Sequence, residues 1–163
     1  MIPVLLPLVL SLALPASARD RVPAKSDGAA SRLRAAEEFL EKGDYERARE
    51  ELGAAEYEMG PTDTRVVRVY ERRGATYLRE ERLKEARDSF TRAIQAAGVR
   101  KVSDPAVAGA YAGMGLCLLK QGNKEYALKF FKRGLGAQPD EGTRMFLEDQ
   151  VRELEGGAPE PLH

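Results

Sequence analysis

An all-α chain of stacked helical hairpins is the fold this sequence predicts, and three observations predict it. From about Ala29 onward, charged and apolar residues recur at helical spacing, with no sustained two-residue alternation rich in β-branched residues to indicate a sheet. Gly and Pro interrupt that texture at Gly43, Gly60-Pro61, Gly98, Pro105, Gly122, Pro139 and Gly156-Gly157. One phrase is also written more than once. A Gly-Asp turn leads to Ala48 and, four residues on, Leu52 in KGDYERAREEL (42–52), and a Gly-Asn turn leads to Ala127 and Phe131 in QGNKEYALKFF (121–131). A third copy, Ala86 with Phe90, lies between them.

The interruptions delimit seven helices. The first covers about 29–42. The second, 45–59, starts behind Asp44 as N-cap and stops at Gly60-Pro61. The third, 64–80, starts behind Thr62 or Asp63, and the fourth, 83–97, stops at Gly98. The fifth, 105–121, has Asp104 as N-cap and Pro105 at the first helical position, where a missing N–H is harmless. The sixth, 124–138, stops before Pro139, and the seventh, 141–155, before Gly156-Gly157. Ahead of them all, residues 1–18 (MIPVLLPLVLSLALPASA) carry no charged side chain. The apolar run 2–14 is short for a bilayer span, Pro3, Pro7 and Pro15 interrupt it, and Ala16-Ser17-Ala18 is a small-x-small site of the kind signal peptidase accepts. These residues are read as a cleaved secretory signal. An uncleaved anchor is the alternative, because no Lys or Arg precedes the apolar run. The expected order is then a signal at 1–18, a flexible lead-in at 19–28, a helical domain at 29–155 and a disordered tail at 156–163.

Aligning the copies on Ala48, Ala86 and Ala127 extends the repeat. Twelve residues before each Ala stands a small residue, Ala36, Gly74 or Gly115, followed three residues later by Phe39, Tyr77 or Leu118. Eight residues after Leu52, Phe90 and Phe131 come Gly60, Gly98 and Pro139. This pattern resembles the tetratricopeptide repeat family, whose signature is W-x2-L-G-x2-Y, then A-x3-F, then P, over about 34 residues. The third copy matches best, with Tyr111, Met114, Gly115, Leu118, Ala127, Phe131 and Pro139. The second has Tyr70, Arg73, Gly74, Tyr77, Ala86 and Phe90, with Gly98 in place of the proline, and the first, Arg32, Ala35, Ala36, Phe39, Ala48, Leu52 and Gly60, is weakest. The resemblance implies a right-handed α-solenoid of three antiparallel hairpins (about 29–62, 67–100 and 108–141) with residues 141–155 as a C-terminal capping helix.

The small residues leave room for helices to approach, and the large one four residues after each Ala fills the gap to the next hairpin. A glycine inside a helix is unfavourable by about 1 kcal/mol relative to Ala, so Gly74 and Gly115 imply tight contacts. Overpacking by Gly115→Leu should then be harmful and Gly115→Ala mild, since Ala36 holds the matching place. The Ala-to-Ala distances are 38 and 41 residues. The extra residues near PTDT are expected to lengthen the third helix by a turn, and the basic stretch 99–105 to protrude as a loop.

Function classes narrow by exclusion. Lys plus Arg and Asp plus Glu each number 26, so the net charge is zero, which removes the electrostatic case for nucleic acid as partner. The lone His163 has no second histidine with which to bind a metal, and Cys117, between leucines, is expected to be a small buried hydrophobe. The GMG at 113–115 lies within a helix and is no phosphate loop. No cofactor and no catalytic constellation is expected. What remains is surface recognition. The resemblance implies a concave groove lined by the first helix of each hairpin. Some family members grip a peptide's terminal carboxylate there with a Lys and an Asn one turn apart, but the matching pairs here are Leu33/Glu37, Glu71/Ala75 and Ala112/Leu116. The groove candidates are Glu37, Leu40, Arg68, Glu71, Leu78, Arg79, Leu116 and Lys120, forming an apolar floor with a mixed-charge rim for an extended peptide or a helix. Arg68 and Arg79, three turns apart on the face assigned to the groove, are the side chains expected to hold an acidic or C-terminal group of a peptide. The sequence thus points to an exported, periplasmic, non-enzymatic protein-binding module, with membrane contact only if the N-terminal segment is retained.

Overall fold

A computed structural model describes residues 27–156. The proposed signal, most of the lead-in and the tail beyond Gly156 lie outside the described residues. Seven helices follow one another: α1 (Gly28–Glu41), α2 (Tyr45–Glu58), α3 (Val66–Arg79), α4 (Leu83–Arg100), α5 (Pro105–Lys120), α6 (Lys124–Leu135) and α7 (Glu141–Leu154). Helices α1/α2, α3/α4 and α5/α6 form three hairpins stacked in chain order, with α7 packed on α6 and α5. The array is an α-solenoid, and the described residues contain no strand.

Local chemistry explains most of the helix ends. Asp44, Asp104, Asn123 and Asp140 each accept a hydrogen bond from the N–H three residues ahead, at 3.2, 3.1, 3.3 and 2.8 Å. Hairpins one and three turn on Gly43 and Gly122, both at positive φ. The second hairpin turns at the same place on Glu81, also at positive φ, and the following Arg82 supplies no side-chain cap. Arg82 instead pairs with Glu85 at 2.6 Å and lies 4.8 Å from the centre of the Tyr77 ring.

Four expectations are corrected here. The third helix is no longer than the first: both have 14 residues, and the extra residues lie in the connection 59–65, where Asp63 accepts the Arg65 N–H at 2.9 Å. Gly98 does not stop α4, which continues to Arg100 and ends where Lys101 turns left-handed, with the Val102 N–H bonding to the Ala97 carbonyl at 3.0 Å. The stretch 99–105 does not protrude. Arg100 reaches back to the carbonyls of Pro61 and Asp63 at 2.9 and 3.1 Å, so the two insertions brace each other. The sixth helix also ends early, at Leu135, because Gly134 and Gly136 favour a turn before Pro139.

Packing turns on two phenylalanines. A methyl group placed at Gly74 would fall under 3.0 Å from three ring carbons of Phe90, and one at Gly113 would meet the same ring from the next hairpin. Gly115 stands in the same relation to Phe131. Both rings are almost wholly buried, at 1% and 0% exposure. Phe131 also meets Phe146 of α7 edge-on, with ring centres 6.1 Å apart. Leu147 of α7 is fully buried against Gly134, while Met145 is left exposed. The core is divided. Hairpins two and three share one cluster with α7, whereas hairpin one has a smaller one made of Leu33, Ala36, Leu52, Ala55 and Val69.

The close fit reverses the mild outcome for alanine at Gly115. Ala36 is tolerated because its partner is Leu52, whereas Gly115 faces a phenyl ring. Gly115→Ala should destabilise by about 1–3 kcal/mol in chemical denaturation. Adding Phe131→Leu, which recreates the pairing of hairpin one, should cost less than the two single changes summed; strict additivity would contradict this contact.

Candidate functional site

One face of the array is lined by the first helix of each hairpin, and α3 is its centre. Arg68, Arg72, Ala75 and Arg79 follow one another at three- and four-residue steps, so they form a single stripe. On one side the stripe faces α1 across a pocket of about 500 Å³ lined by Glu37, Leu40, Glu41, Arg68, Arg72, Ala75 and Arg79. On the other it faces the starts of α5 and α7 across a pocket of about 330 Å³, where Arg65, Arg68, Glu71 and Arg72 meet Asp104, Gly109, Asp140 and Thr143. Arg68 and Arg72 line both, so the two pockets adjoin.

Most charges here are already engaged. Arg65 pairs with Asp63 at 2.6 Å and with Asp27, and its guanidinium holds both carboxyls below the usual carboxylate range. Arg68 pairs with Glu37. Arg79 donates to the Leu40 carbonyl at 3.2 Å. Asp140 accepts the Thr143 N–H, which lowers its pKa too. Arg72 differs. Its Nε lies 3.5 Å from Glu37 Oε1 and 3.5 Å from Glu71 Oε2, is buried, and has no hydrogen-bond partner. Glu71 is itself only 7% exposed, and burial pushes its pKa up to about 7 against the opposing pull of Arg72 and Arg68.

The expected groove residues divide accordingly. The structure brings Glu37, Leu40, Arg68 and Arg79 together in the larger pocket and Arg68 with Glu71 in the smaller. Leu78 and Leu116 pack against the main core, and Lys120 reaches the α3–α4 turn to pair with Glu81 at 3.2 Å; none of the three lines either pocket. The apolar floor is therefore reduced to Leu40 and Ala75 in the larger pocket, with Glu71 and Arg72 adding charge, because Leu78 and Leu116 turn toward helix packing. Arg68 and Arg79 are not free but tie hairpin two to hairpin one. Arg72, which the first reading omitted, was legible in the sequence as the member of the arginine stripe four residues after Arg68. Cys117 is buried, and burial raises its thiol to about 11, so it has no thiolate character near neutral pH. Among the described residues, no group of three His, Cys, Asp or Glu side chains could hold a metal ion.

The fold defines a helical-repeat protein built of stacked antiparallel hairpins. Residues 65–140, hairpins two and three, match the family model described as tetratricopeptide repeat, and they belong to that family. Solved structures share the architecture. The N-terminal domain of stress-induced protein-1 from C. elegans is 22% identical, with 79% of this chain and 95% of that one covered and a TM-score of 0.61. The second such domain of human RPAP3, solved in complex with an HSP70 peptide, is 21% identical over 78% and 95%, with a TM-score of 0.58. A similar protein from Chlorobium tepidum is 17% identical over 79% and 95%, with a TM-score of 0.62. At these identities the likeness is one of fold. No curated protein is significantly similar in sequence.

The raised Glu71 carboxyl has a consequence for stability. The folded chain keeps this proton up to about pH 7, whereas the unfolded chain releases it near 4.5. Between those values the folded state binds more protons, so this group's contribution to stability falls as pH rises. Glu71→Gln, which keeps the volume without the charge, should raise the melting temperature at pH 8 and leave it nearly unchanged at pH 4.5. Parallel melting curves for the two proteins across that range would show that Glu71 is not so perturbed.

Proposed function

We propose that this chain is an exported, non-enzymatic protein-interaction module, an adaptor or assembly factor of the cell envelope. On this reading it takes an extended peptide or a helix along the inner face and holds one of its acidic groups at Arg72. The observation that carries the binding role is the buried Nε of Arg72, which lies 3.5 Å from two carboxylates and hydrogen-bonds to neither, at the junction of two pockets. A buried donor that makes no hydrogen bond is unfavourable by up to about 1–3 kcal/mol, part of which the two nearby carboxylates offset and the rest of which a ligand carboxylate would recover. The complex of human RPAP3 with its HSP70 peptide supports peptide recognition by this architecture. The means differ here, since the Lys and Asn pair expected of the family's carboxylate grip is missing.

Export rests on residues 1–18, whose uncharged apolar run ends at a small-residue site. The second reading, a membrane-tethered scaffold, is favoured only by the missing basic residue before that run. Among the described residues no helix is long and apolar enough to cross a membrane.

Two measurements test the proposal. N-terminal sequencing of the protein recovered from the envelope fraction should begin at Arg19, whereas intact Met1 in the membrane pellet would establish the tether. In fluorescence anisotropy against peptides ending in acidic residues, Arg72→Ala should weaken binding by about 1.5–3 kcal/mol, the range for hydrogen bonds to charged groups. Arg68→Ala and Arg79→Ala should weaken it less, because both side chains are held by hairpin one. Equal affinity for wild type and Arg72→Ala would place the binding surface elsewhere.

A further inference from the structure

Beside the smaller pocket a buried donor without a hydrogen bond, Arg72 Nε, stands next to a buried carboxyl, that of Glu71. Arg72 Nε has carboxylate oxygens 3.5 Å away on both sides, from Glu37 of α1 and Glu71 of α3, and hydrogen-bonds to neither. Glu71, nine-tenths buried, lines the pocket, and among the described residues its side chain makes an ion pair with Arg72 at 3.5 Å and no hydrogen bond. Space for its carboxyl is made by α5, which presents Gly109, where a methyl group would lie 3.0 Å from Glu71 Oε1. The other charged groups around it are accounted for. Arg68 is taken by Glu37, Arg65 by Asp63 and Asp27, and the caps Asp104 and Asp140 by the first turns of α5 and α7. Arg72 is thus the arginine here whose ion pairs, both at 3.5 Å, carry no hydrogen bond from Nε, and Glu71 is the acid that competes with a ligand for it.

We propose that an anionic group of the bound peptide and the Glu71 carboxylate exchange places at Arg72, so that binding is coupled to uptake of one proton by Glu71. This deepens the peptide-binding reading and rests on it. While Glu71 is ionised it neutralises Arg72 and repels an incoming carboxylate. Once protonated it does neither, and its O–H becomes a donor on the same side of the pocket as the guanidinium. Its burial places the change near neutrality, where a pKa of about 7 leaves both forms populated. The peptide's own carboxylates, with ordinary values near 4, remain ionised throughout. The outcome is a groove that binds acidic segments more tightly in mildly acidic surroundings than in mildly alkaline ones.

The experiment uses the chain from Arg19 to His163 and a dye-labelled pentaglutamate with a free C-terminus, in anisotropy titrations at constant ionic strength. If only the protonated form binds, the wild type should bind about tenfold more weakly at pH 8 than at pH 6. Glu71→Gln should bind equally at both, near the wild-type affinity at pH 6. That variant keeps His163 and the N-terminal amine, so any pH response from those groups survives in it. Calorimetry of the wild type at pH 8 in two buffers of different ionisation enthalpy gives a second reading that needs no variant, and should show net proton uptake on binding. Peptide binding with a flat pH profile and no proton uptake would overturn the coupling while leaving the peptide-binding reading intact. A Glu71→Gln protein as pH-dependent as the wild type would overturn it too, and absence of binding at every pH would overturn both.

Discussion

The array depends on rings seated against glycine. Phe90, carried by α4, occupies the space above Gly74 of its own hairpin and Gly113 of the next, so one side chain sets both the closing of hairpin two and its distance from hairpin three. Phe131 does the same for hairpin three over Gly115 and passes the contact on to α7 through Phe146. A side chain at any of the three glycines would hold the helices apart and lose dispersion contacts across the whole interface. This accounts for glycines in the middle of α3 and α5, where helix propensity alone would disfavour them.

Hairpin one is joined by different means. Its junction with hairpin two is laced with charge: Arg49 with Glu80, Arg73 with Glu56 at 2.8 Å, Tyr70 with Glu56 at 2.6 Å, and Arg68 with Glu37. The inner face is charged for the same reason. Arginines that tie α3 to α1 are also the side chains that line the groove, so the surface that could read a partner is continuous with the surface that joins the first two hairpins. Of these, Arg68–Glu37 is exposed and so weak and screened by salt, whereas the Arg49–Glu80, Arg73–Glu56 and Tyr70–Glu56 contacts are part-buried. The junction thus combines polar contacts with the small apolar cluster completed by Val69, where the joint between hairpins two and three is aromatic.

Much of the architecture could be read from the chain because it repeats. Gly74 with Phe90 and Gly115 with Phe131 announce themselves by constant spacing, and Asp44, Asp104 and Asn123 mark helix starts by chemistry alone. Features that depend on how one repeat meets the next were hidden. The seat of Phe90 on Gly113 crosses between hairpins whose spacing is stretched, so no fixed offset reveals it. The bracing of the two insertions by Arg100 needs three-dimensional proximity. The inner face was half legible. The arginine stripe on α3 is visible as a period, but Leu78 and Leu116 point into the core because of a helix rotation that a one-dimensional pattern leaves open. The burial of Glu71 follows from Gly109, a residue 38 positions away.

The divided core also bears on the order in which the molecule can assemble. A chain emerges from the ribosome N-terminus first, so α1 and α2 are available before anything they could pack against. Their own contribution to the smaller cluster is Leu33, Ala36, Leu52 and Ala55, and Val69 of α3 completes its buried part. A hairpin this lightly furnished is marginal alone, since a repeat gains much of its stability from its neighbour. The first part made is then the last to settle, waiting as a fluctuating pair of helices until α3 arrives and hairpins two and three present a finished face on which to dock.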